Sequence, residues 1–336
     1  MAEAGRHGGR RVLPASDQRG FALLVVLWIF IVLFVLGAEF ATEMRQDAQA
    51  TVNFADETQS YYLATAALNQ TFLGALIEND QATLGASPEE LGPEYIPLVR
   101  VDGAWHAQTL WGAPVHVRVF DESGKVPLNL VDQAILQQIL VNLGVSADEA
   151  SQIADSILDW RDEDDEHRVG GAESDYYLDL PRPYLAKNAP FDSLDELRLV
   201  KGVRDELFFG GEAHPLGLVN LFSVYNREPT LNVRSASPEV MRAVLGMDEK
   251  QLQQFLTTRM AGGGALLAEA TALLGNPAMA DLLTDEPPSI LLVEAQARLP
   301  SARVGAHVGA VVDLGESNEG VYILRWMDQL PLTEVS

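Results

Sequence analysis

The 336-residue sequence contains no cysteine and has a marked shortage of basic residues. Without cysteine there can be no disulfide bond, no thiolate nucleophile and no zinc or iron–sulfur site with cysteine ligands. Lys and Arg number 23 against 48 Asp and Glu, and the formal net charge is −25. Such a balance argues against nonspecific binding to nucleic acid or to an anionic lipid surface, because both need Lys and Arg facing phosphate.

Recognisable catalytic signatures are also missing. The six histidines are scattered without metal-ligand spacing, and the sequence has no G-x-S-x-G, Walker loop or dinucleotide fingerprint. We therefore expect that the chain is not an enzyme.

A long apolar run is present near the N-terminus. Residues 21–38 read FALLVVLWIFIVLFVLGA and carry no charge. As a helix this run is about 27 Å long, close to the hydrocarbon thickness of a bilayer. The segment before it has four arginines and two acidic residues. This positive flank predicts a cytoplasmic N-terminus and export of the remainder, so we expect a single-pass membrane protein.

The sequence Arg19-Gly20-Phe21 at the start of the apolar run resembles the cleavage site of type IV pilin-like precursors. By that resemblance residues 1–20 are a leader, Gly20 is its last residue, and Phe21 is the first mature residue, which prepilin peptidase N-methylates. Most pilin-like subunits have glutamate at mature position five, where this chain has Val25. A subunit without that carboxylate suits the tip of a filament.

The residue pattern along the chain predicts an α+β fold. No proline occurs between Pro14 and Pro88, so residues 21–76 are predicted to form one long helix, apolar first and amphipathic later. Alternating residues predict antiparallel strands over 95–121, with turns at Asp102-Gly103 and Gly112-Ala113-Pro114. They also predict a terminal antiparallel sheet over 289–330. We expect the long helix to pack on this sheet.

An approximate internal repeat lies between the two strand regions. Residues 125–144 align with residues 228–246, and each copy has a Leu-Asn pair, a capping polar residue and a helix that ends at glycine. Another helix follows each copy, residues 191–203 look like one more helix with a glycine turn, and residues 265–274 form a further one. This pattern resembles helix-hairpin-helix or SAM-like modules. Residues 223–233 are predicted to be either a loop of this region or a hairpin of the sheet.

Several motifs in the expected order resemble the type II secretion system minor pseudopilin K family. They are the Gly20-Phe21 site without a glutamate at Val25, DWRDEDDEHRVGGAESDYYL at 159–178, KNAPFDSLDELRLVKGV at 187–203 and LNVRSASPEVMRAVLG at 231–246. The resemblance implies a pilin-like domain in two parts, 77–125 and 286–336, interrupted by a large helical domain at 126–285. It also implies a single-pass protein of the bacterial inner membrane with its C-terminal domain in the periplasm. In this family the subunit forms the pseudopilus tip with minor pseudopilins I and J, above H, and helps to export folded proteins.

Residues 159–175 carry a dense run of acidic side chains around Gly170-Gly171. Calcium takes six to eight oxygen ligands, and a glycine-containing loop can fold back to supply them. Without a cation, clustered carboxylates repel one another and their pKa values rise. The spacing is not that of an EF-hand, and a solvated acidic loop is the simpler interpretation. Family members that bind calcium favour a calcium site, and the predicted ligands are Asp159, Asp162, Asp164, Glu173 and Asp175.

A partner-binding surface is predicted along the exposed stripe of the long helix. The candidates, besides Val25, are Phe54, Tyr61, Tyr62 and Leu63. The alternative for each is that it faces the protein's own sheet. Lys201-Gly202-Val203 could contact DNA as helix-hairpin-helix turns do, but the acidic surroundings argue against nucleic acid as a partner. A membrane-anchored periplasmic hydrolase, or another single-pass envelope protein, is the alternative function.

Overall fold

The computed structural model describes residues 18–84, 99–212, 216–261, 265–274, 277–287, 289–315 and 321–332. It begins with one helix, α1 (Gln18–Leu84), of 67 residues. The helix runs past the predicted end near residue 76. Its N-terminal part is exposed and apolar, whereas its C-terminal part buries Leu63, Leu68 and Phe72. Among the described residues, α1 is the helix long and apolar enough to cross a membrane.

A five-stranded antiparallel sheet covers the buried part of α1. Its order is β1-β2-β7-β8-β9. The strands are β1 (His106–Leu110), β2 (Ala113–Asp121), β7 (Ile290–Ala297), β8 (Ala306–Asp313) and β9 (Tyr322–Met327). Alternation places Val115, Val117 and Val119 of β2 in the core against α1. The predicted long helix, its packing on a sheet and the terminal strands are confirmed.

The predicted turns of the first hairpin are partly wrong. β1 and β2 are joined at Trp111-Gly112, with φ values of 50° and 81°, while Ala113 and Pro114 already belong to β2. Two consecutive residues with positive φ form a type I′ turn, whose backbone twist matches the twist of the two strands that it joins. Asp102-Gly103 precedes β1, and within the described residues it joins no strands. Its glycine, at φ 69°, donates its N–H to the Val119 carbonyl at 3.0 Å. Residues 95–98 lie outside the described part, and 99–105 form no strand.

The helical region is inserted between two neighbouring strands of the sheet. Asp121 at the end of β2 pairs with Leu291 of β7, so the chain between them leaves the sheet and returns. This region contains its own core and two short parallel ladders, β3 (Val126–Pro127) with β4 (Phe222–Ser223), and β5 (Leu231–Asn232) with β6 (Leu283–Thr284). The segment 223–233 therefore belongs to the inserted region and not to the large sheet.

The internal repeat is confirmed as two strand–helix–helix units. The first unit has α2 (Gln133–Asn142) and α3 (Ala147–Arg161), and the second has α6 (Pro238–Leu245) and α7 (Glu249–Met260). The caps are Asp132, Ser146, Ser237 and Asp248, each of which accepts a backbone N–H. Gly144 and Gly246 follow α2 and α6 with φ values of 88° and 66°. Asn142 joins the units by donating to the Ala243 carbonyl at 2.9 Å.

The remaining α-helices of the inserted region are short. They are α4 (Ser174–Leu178), α5 (Asp205–Phe209) and α8 (Leu266–Leu273), and short 3₁₀ helices cover Leu218–Asn220 and Pro277–Leu282. The helix predicted at 191–203 is a 3₁₀ helix over Leu194–Leu199, followed by a turn at Gly202 with φ 86°. α8 confirms the predicted helix at 265–274.

Candidate functional site

The C-terminal end of α3 carries three carboxylates on its way into the acidic loop. Asp155 and Asp159 are buried on α3, and Asp162 is its C-cap residue. Negative charge at a helix C-terminus is unfavourable because the helix dipole is negative there. Arg161 lies in the last turn of α3, and further positive charge nearby stabilises this end of the helix.

Arg168 supplies one positive charge from within the loop. Its Nη1 lies 2.7 Å from Asp159 Oδ1 and 2.5 Å from Asp162 Oδ2. The Arg168 backbone N–H also points at the Asp159 carboxylate, at 3.3 Å from Oδ2. Asp159 is fully buried, and Arg168 is thus its principal partner.

The two glycines allow the chain to turn back toward α3. Gly170 donates its N–H to Asp155 Oδ2 at 3.0 Å. Lys201 Nζ donates to the carbonyls of Gly170 at 3.2 Å and Gly171 at 2.8 Å. A Cβ on Gly171 would lie 1.8 Å from Asp159 Oδ2, so only glycine fits there. The predicted return of the chain is therefore observed for Glu173 but not for Asp175.

The returning chain buries Glu173 beside the other carboxylates. Its side chain is 2% exposed, and neither Oε atom has a hydrogen-bond partner among the described residues. Desolvation, together with the charges of Asp159 and Asp162, raises the pKa of Glu173 to about 7. One ligand oxygen from each of Asp162, Asp164 and Glu173 lies within 4.8 Å of the other two.

Asn188 is a neighbour that the sequence did not single out. Its Nδ2 donates to the Asp164 carbonyl at 3.0 Å and to Asp165 Oδ1 at 2.9 Å. Its own Oδ1 is buried without a partner in the described structure. The only sequence signal was an asparagine in the 187–203 motif, a residue type that tolerates the φ of 47° observed here.

The structure brings together three of the five predicted calcium ligands. Asp162, Asp164 and Glu173 form the group, which we call the carboxylate cluster. Asp159 lies beside it but is bonded to Arg168. Asp175 is exposed and points away, with Oδ1 2.9 Å from His167 Nε2.

The donor set of the carboxylate cluster fits a hard cation. Asp162 Oδ1 and both Glu173 oxygens are buried acceptors to which no described group donates a hydrogen bond. Buried acceptors in proteins normally find a donor. Carboxylate oxygens without donors are the ligands that calcium prefers.

The predicted processing site and partner surface lie on α1. Gly20 is within α1, Phe21 is 71% exposed, and residues 1–17 of the predicted leader lie outside the described part. Val25, Phe54 and Tyr62 are exposed. By contrast, Leu63 is buried in the core under the sheet, and the Tyr61 hydroxyl donates to Asp328 Oδ1 at 2.8 Å. Leu63 therefore serves the protein's own fold in this structure.

Comparison with known proteins agrees with the resemblance drawn from the motifs. The family model for type II secretion system (T2SS), protein K, matches residues 121–209. The type II secretion system protein K of Klebsiella pneumoniae is 29% identical over 204 residues, which are 57% of this chain and 60% of the relative. The protein of the same name from Pseudomonas aeruginosa is 24% identical over 258 residues, or 72% of each chain.

A solved structure shares the fold. It is described as the GspK-GspI-GspJ complex from the enterotoxigenic Escherichia coli Type 2 Secretion System. One of its chains matches with a TM-score of 0.58 and 16% identity, over 85% of this chain and 100% of that one. The α+β fold class is confirmed. The first sequence matches span about 60% of the relatives' own length.

Proposed function

We propose that this chain is a minor pseudopilin at the tip of the periplasmic pseudopilus. Its sequence resembles the type II secretion system protein K family, and its fold matches a solved structure of that secretion system. In this role it is held in the inner membrane by α1 and helps to export folded proteins across the outer membrane. It acts as a structural subunit and not as an enzyme, and the family match favours this function over an anchored hydrolase.

The architecture carries the proposal. One helix continues from an apolar, exposed half to a half that is buried under an antiparallel sheet. A helix built this way anchors its domain in a bilayer and leaves the sheet in the aqueous compartment. The positive N-terminal flank supports a periplasmic location for that domain.

Two features support a place at the tip. Val25 stands where pilin-like subunits carry the glutamate that receives the terminal amine of a neighbour. In addition, the region between Asp121 and Ile290 projects from the sheet and adds bulk that a subunit stacked within a narrow shaft could not accommodate.

Mass spectrometry of the mature N-terminus tests the processing step. We expect N-methylated Phe21 in cells with active prepilin peptidase, because Gly20-Phe21 has the form of its cleavage site. An intact Met1 in such cells would contradict the pseudopilin proposal and favour a plain anchored protein.

Copurification tests the partners. We expect a complex with minor pseudopilins I and J at equal stoichiometry, and H below it. Phe54 and Tyr62 are exposed on α1 and are the candidate contacts. Phe54→Ala with Tyr62→Ala should weaken copurification and leave folding intact. Long homopolymers of this chain alone would contradict the tip position.

We also propose that the carboxylate cluster binds calcium, held by Asp162, Asp164 and Glu173. Bound calcium would supply the positive charge that their oxygens lack and would tie the loop to α3. Isothermal titration of the detergent-solubilised chain with calcium tests this, with Asp164→Asn as the variant expected to bind more weakly. If the wild type shows no heat of binding and no rise in melting temperature with calcium, the site is ruled out.

A further inference from the structure

Arg168 neutralises some carboxylate oxygens of the acidic region and leaves others without a positive partner. Its guanidinium bonds Asp159 Oδ1 and Asp162 Oδ2, at 2.7 and 2.5 Å. The other Asp162 oxygen, Oδ1, and both oxygens of Glu173 remain without donors among the described residues. Asp162 therefore bonds Arg168 through Oδ2, while its Oδ1 belongs to the group of oxygens without donors.

We propose that Arg168 is a resident cation that sets the calcium affinity of the carboxylate cluster. This inference rests on the proposed calcium site. Arg168 holds Asp159 and one oxygen of Asp162, so calcium binds the remaining oxygens and Asp159 is not a ligand. The guanidinium also keeps the cluster assembled when calcium is absent.

The electrostatic consequence has a definite sign. A fixed positive charge on a shared carboxylate repels an incoming divalent cation, and water screens the repulsion only in part, because Asp159 and Glu173 are buried although the Arg168 side chain is 37% exposed. Arg168 therefore lowers the calcium affinity. In exchange, it supplies a partner to a fully buried carboxylate that would otherwise be an uncompensated charge.

Calcium titration of Arg168→Gln in the full, detergent-solubilised chain tests the inference. We expect the dissociation constant to fall by about tenfold relative to the wild type, from the repulsion removed. We also expect a larger calcium-dependent rise in melting temperature, because the variant is less stable in chelator. Arg204→Gln is the matched control. It removes an arginine of the same inserted region that pairs with Glu149 at 2.9 Å, and its affinity should change less than about twofold.

The double variant Asp159→Asn with Arg168→Gln covers the case in which Arg168→Gln alone does not fold. It removes the buried charge together with its partner and leaves all three proposed ligands. We expect calcium affinity within about threefold of the wild type, because the net local charge is unchanged. Loss of binding in this double variant would identify Asp159 as a ligand and overturn the inference. Equal or weaker binding by a folded Arg168→Gln variant would also overturn it.

These results are separable from the calcium proposal itself. A wild type that binds no calcium would rule out the calcium proposal. If the wild type binds no calcium but Arg168→Gln does, the role of Arg168 is supported. If neither protein binds calcium, both the calcium proposal and the role of Arg168 are overturned.

Discussion

Gly171 is the residue of the acidic loop that tolerates least change. A methyl group there would lie 1.8 Å from Asp159 Oδ2, and Asp159 is held in place by Arg168. We expect Gly171→Ala to lower the free energy of unfolding by about 2 to 4 kcal/mol, because the loop must move and uncouple the buried carboxylate from its partner. Chemical unfolding in urea measures the loss.

Val169→Ala is the control for this substitution. Val169 is fully exposed on the same loop, so its truncation should change stability by less than about 0.5 kcal/mol. If Gly171→Ala were as stable as Val169→Ala, the close approach of the loop to α3 would not exist in solution.

Glu173 makes stability depend on pH when calcium is absent. Its pKa is about 7 in the folded chain against 4.5 for an ordinary glutamate. Because the folded pKa is raised, ionisation favours the unfolded chain, and stability falls as pH rises from about 4.5 to about 7. The total loss is about 3 kcal/mol. Glu173→Gln imitates the protonated form, so in chelator it should be more stable than the wild type at pH 8.

Melting curves at pH 5 and pH 8 in chelator measure this difference. The advantage of Glu173→Gln should shrink toward pH 5, where the wild-type side chain is largely protonated in the folded state. Glu166→Gln is the control, since Glu166 is exposed on the same loop. An advantage of Glu173→Gln that is the same at both pH values would contradict a raised pKa.

The Leu-Asn pairs of the two repeat units join separate elements of the inserted region. Asn129, after β3, donates to the Phe191 carbonyl at 3.0 Å and accepts the Phe191 N–H at 2.7 Å. Asn232, in β5, donates to Asp121 Oδ2 at 3.2 Å and to the Glu286 carbonyl at 2.9 Å. The first asparagine fixes the segment that precedes the 3₁₀ helix, and the second fixes the junction with the sheet.

Removing the first of these amides tests its role between elements. Asn129→Ala leaves the backbone groups of the buried Phe191 without partners, so we expect a loss of about 2 to 3 kcal/mol in the free energy of unfolding. Urea unfolding measures it. Gln253→Ala on α7 is the control, because that amide bonds only an exposed Glu249 carboxylate at 3.0 Å. Equal effects of the two variants would contradict a structural role for the Leu-Asn pair.

Elements whose form is determined by residues close together in sequence were predictable from the sequence. α1 is fixed by the absence of proline, β2 and the terminal strands by alternation, and the repeat helices by caps next to them in sequence, so these were predicted correctly. The predicted strand at 99–105 was wrong. The first hairpin turn was misplaced because a Trp-Gly turn carries no usual turn signature. Among the acidic residues, spacing could not reveal that Asp159 is taken by Arg168 and Asp175 by His167, because both depend on how the loop folds.

The described part of the chain contains two separate hydrophobic cores. One lies between α1 and the large sheet and includes Leu68, Val117 and Val293. The other lies within the inserted region and includes Ile153, Phe222 and Phe255. The two regions meet through polar groups, chiefly the buried Asp121, which accepts hydrogen bonds from Ser123, Ser235 and Asn232. Burial raises the pKa of Asp121. The buried apolar residues on the two sides of this junction belong to separate clusters.

Separate cores predict that the inserted region can be removed without unfolding the sheet. Asp121 and Leu291 are paired across β2 and β7, so a two-residue Asn-Gly turn can replace residues 122–290 and close the two strands into a hairpin. We expect this shortened chain, in detergent, to keep α1 and the sheet and to melt cooperatively. Circular dichroism measures both properties.

The register of the new hairpin provides the sharpest control. Joining Asp121 through the same Asn-Gly turn to Leu292 omits Leu291, shifts β7 by one residue and turns Val293 and Ala295 away from α1. That second chain differs from the first by one residue, yet it should fail to melt cooperatively, because the apolar face of β7 would point to solvent. If both chains fold equally well, the sheet does not set the register of β7. If neither folds, the inserted region is required for the pilin-like core, and the two cores are not independent.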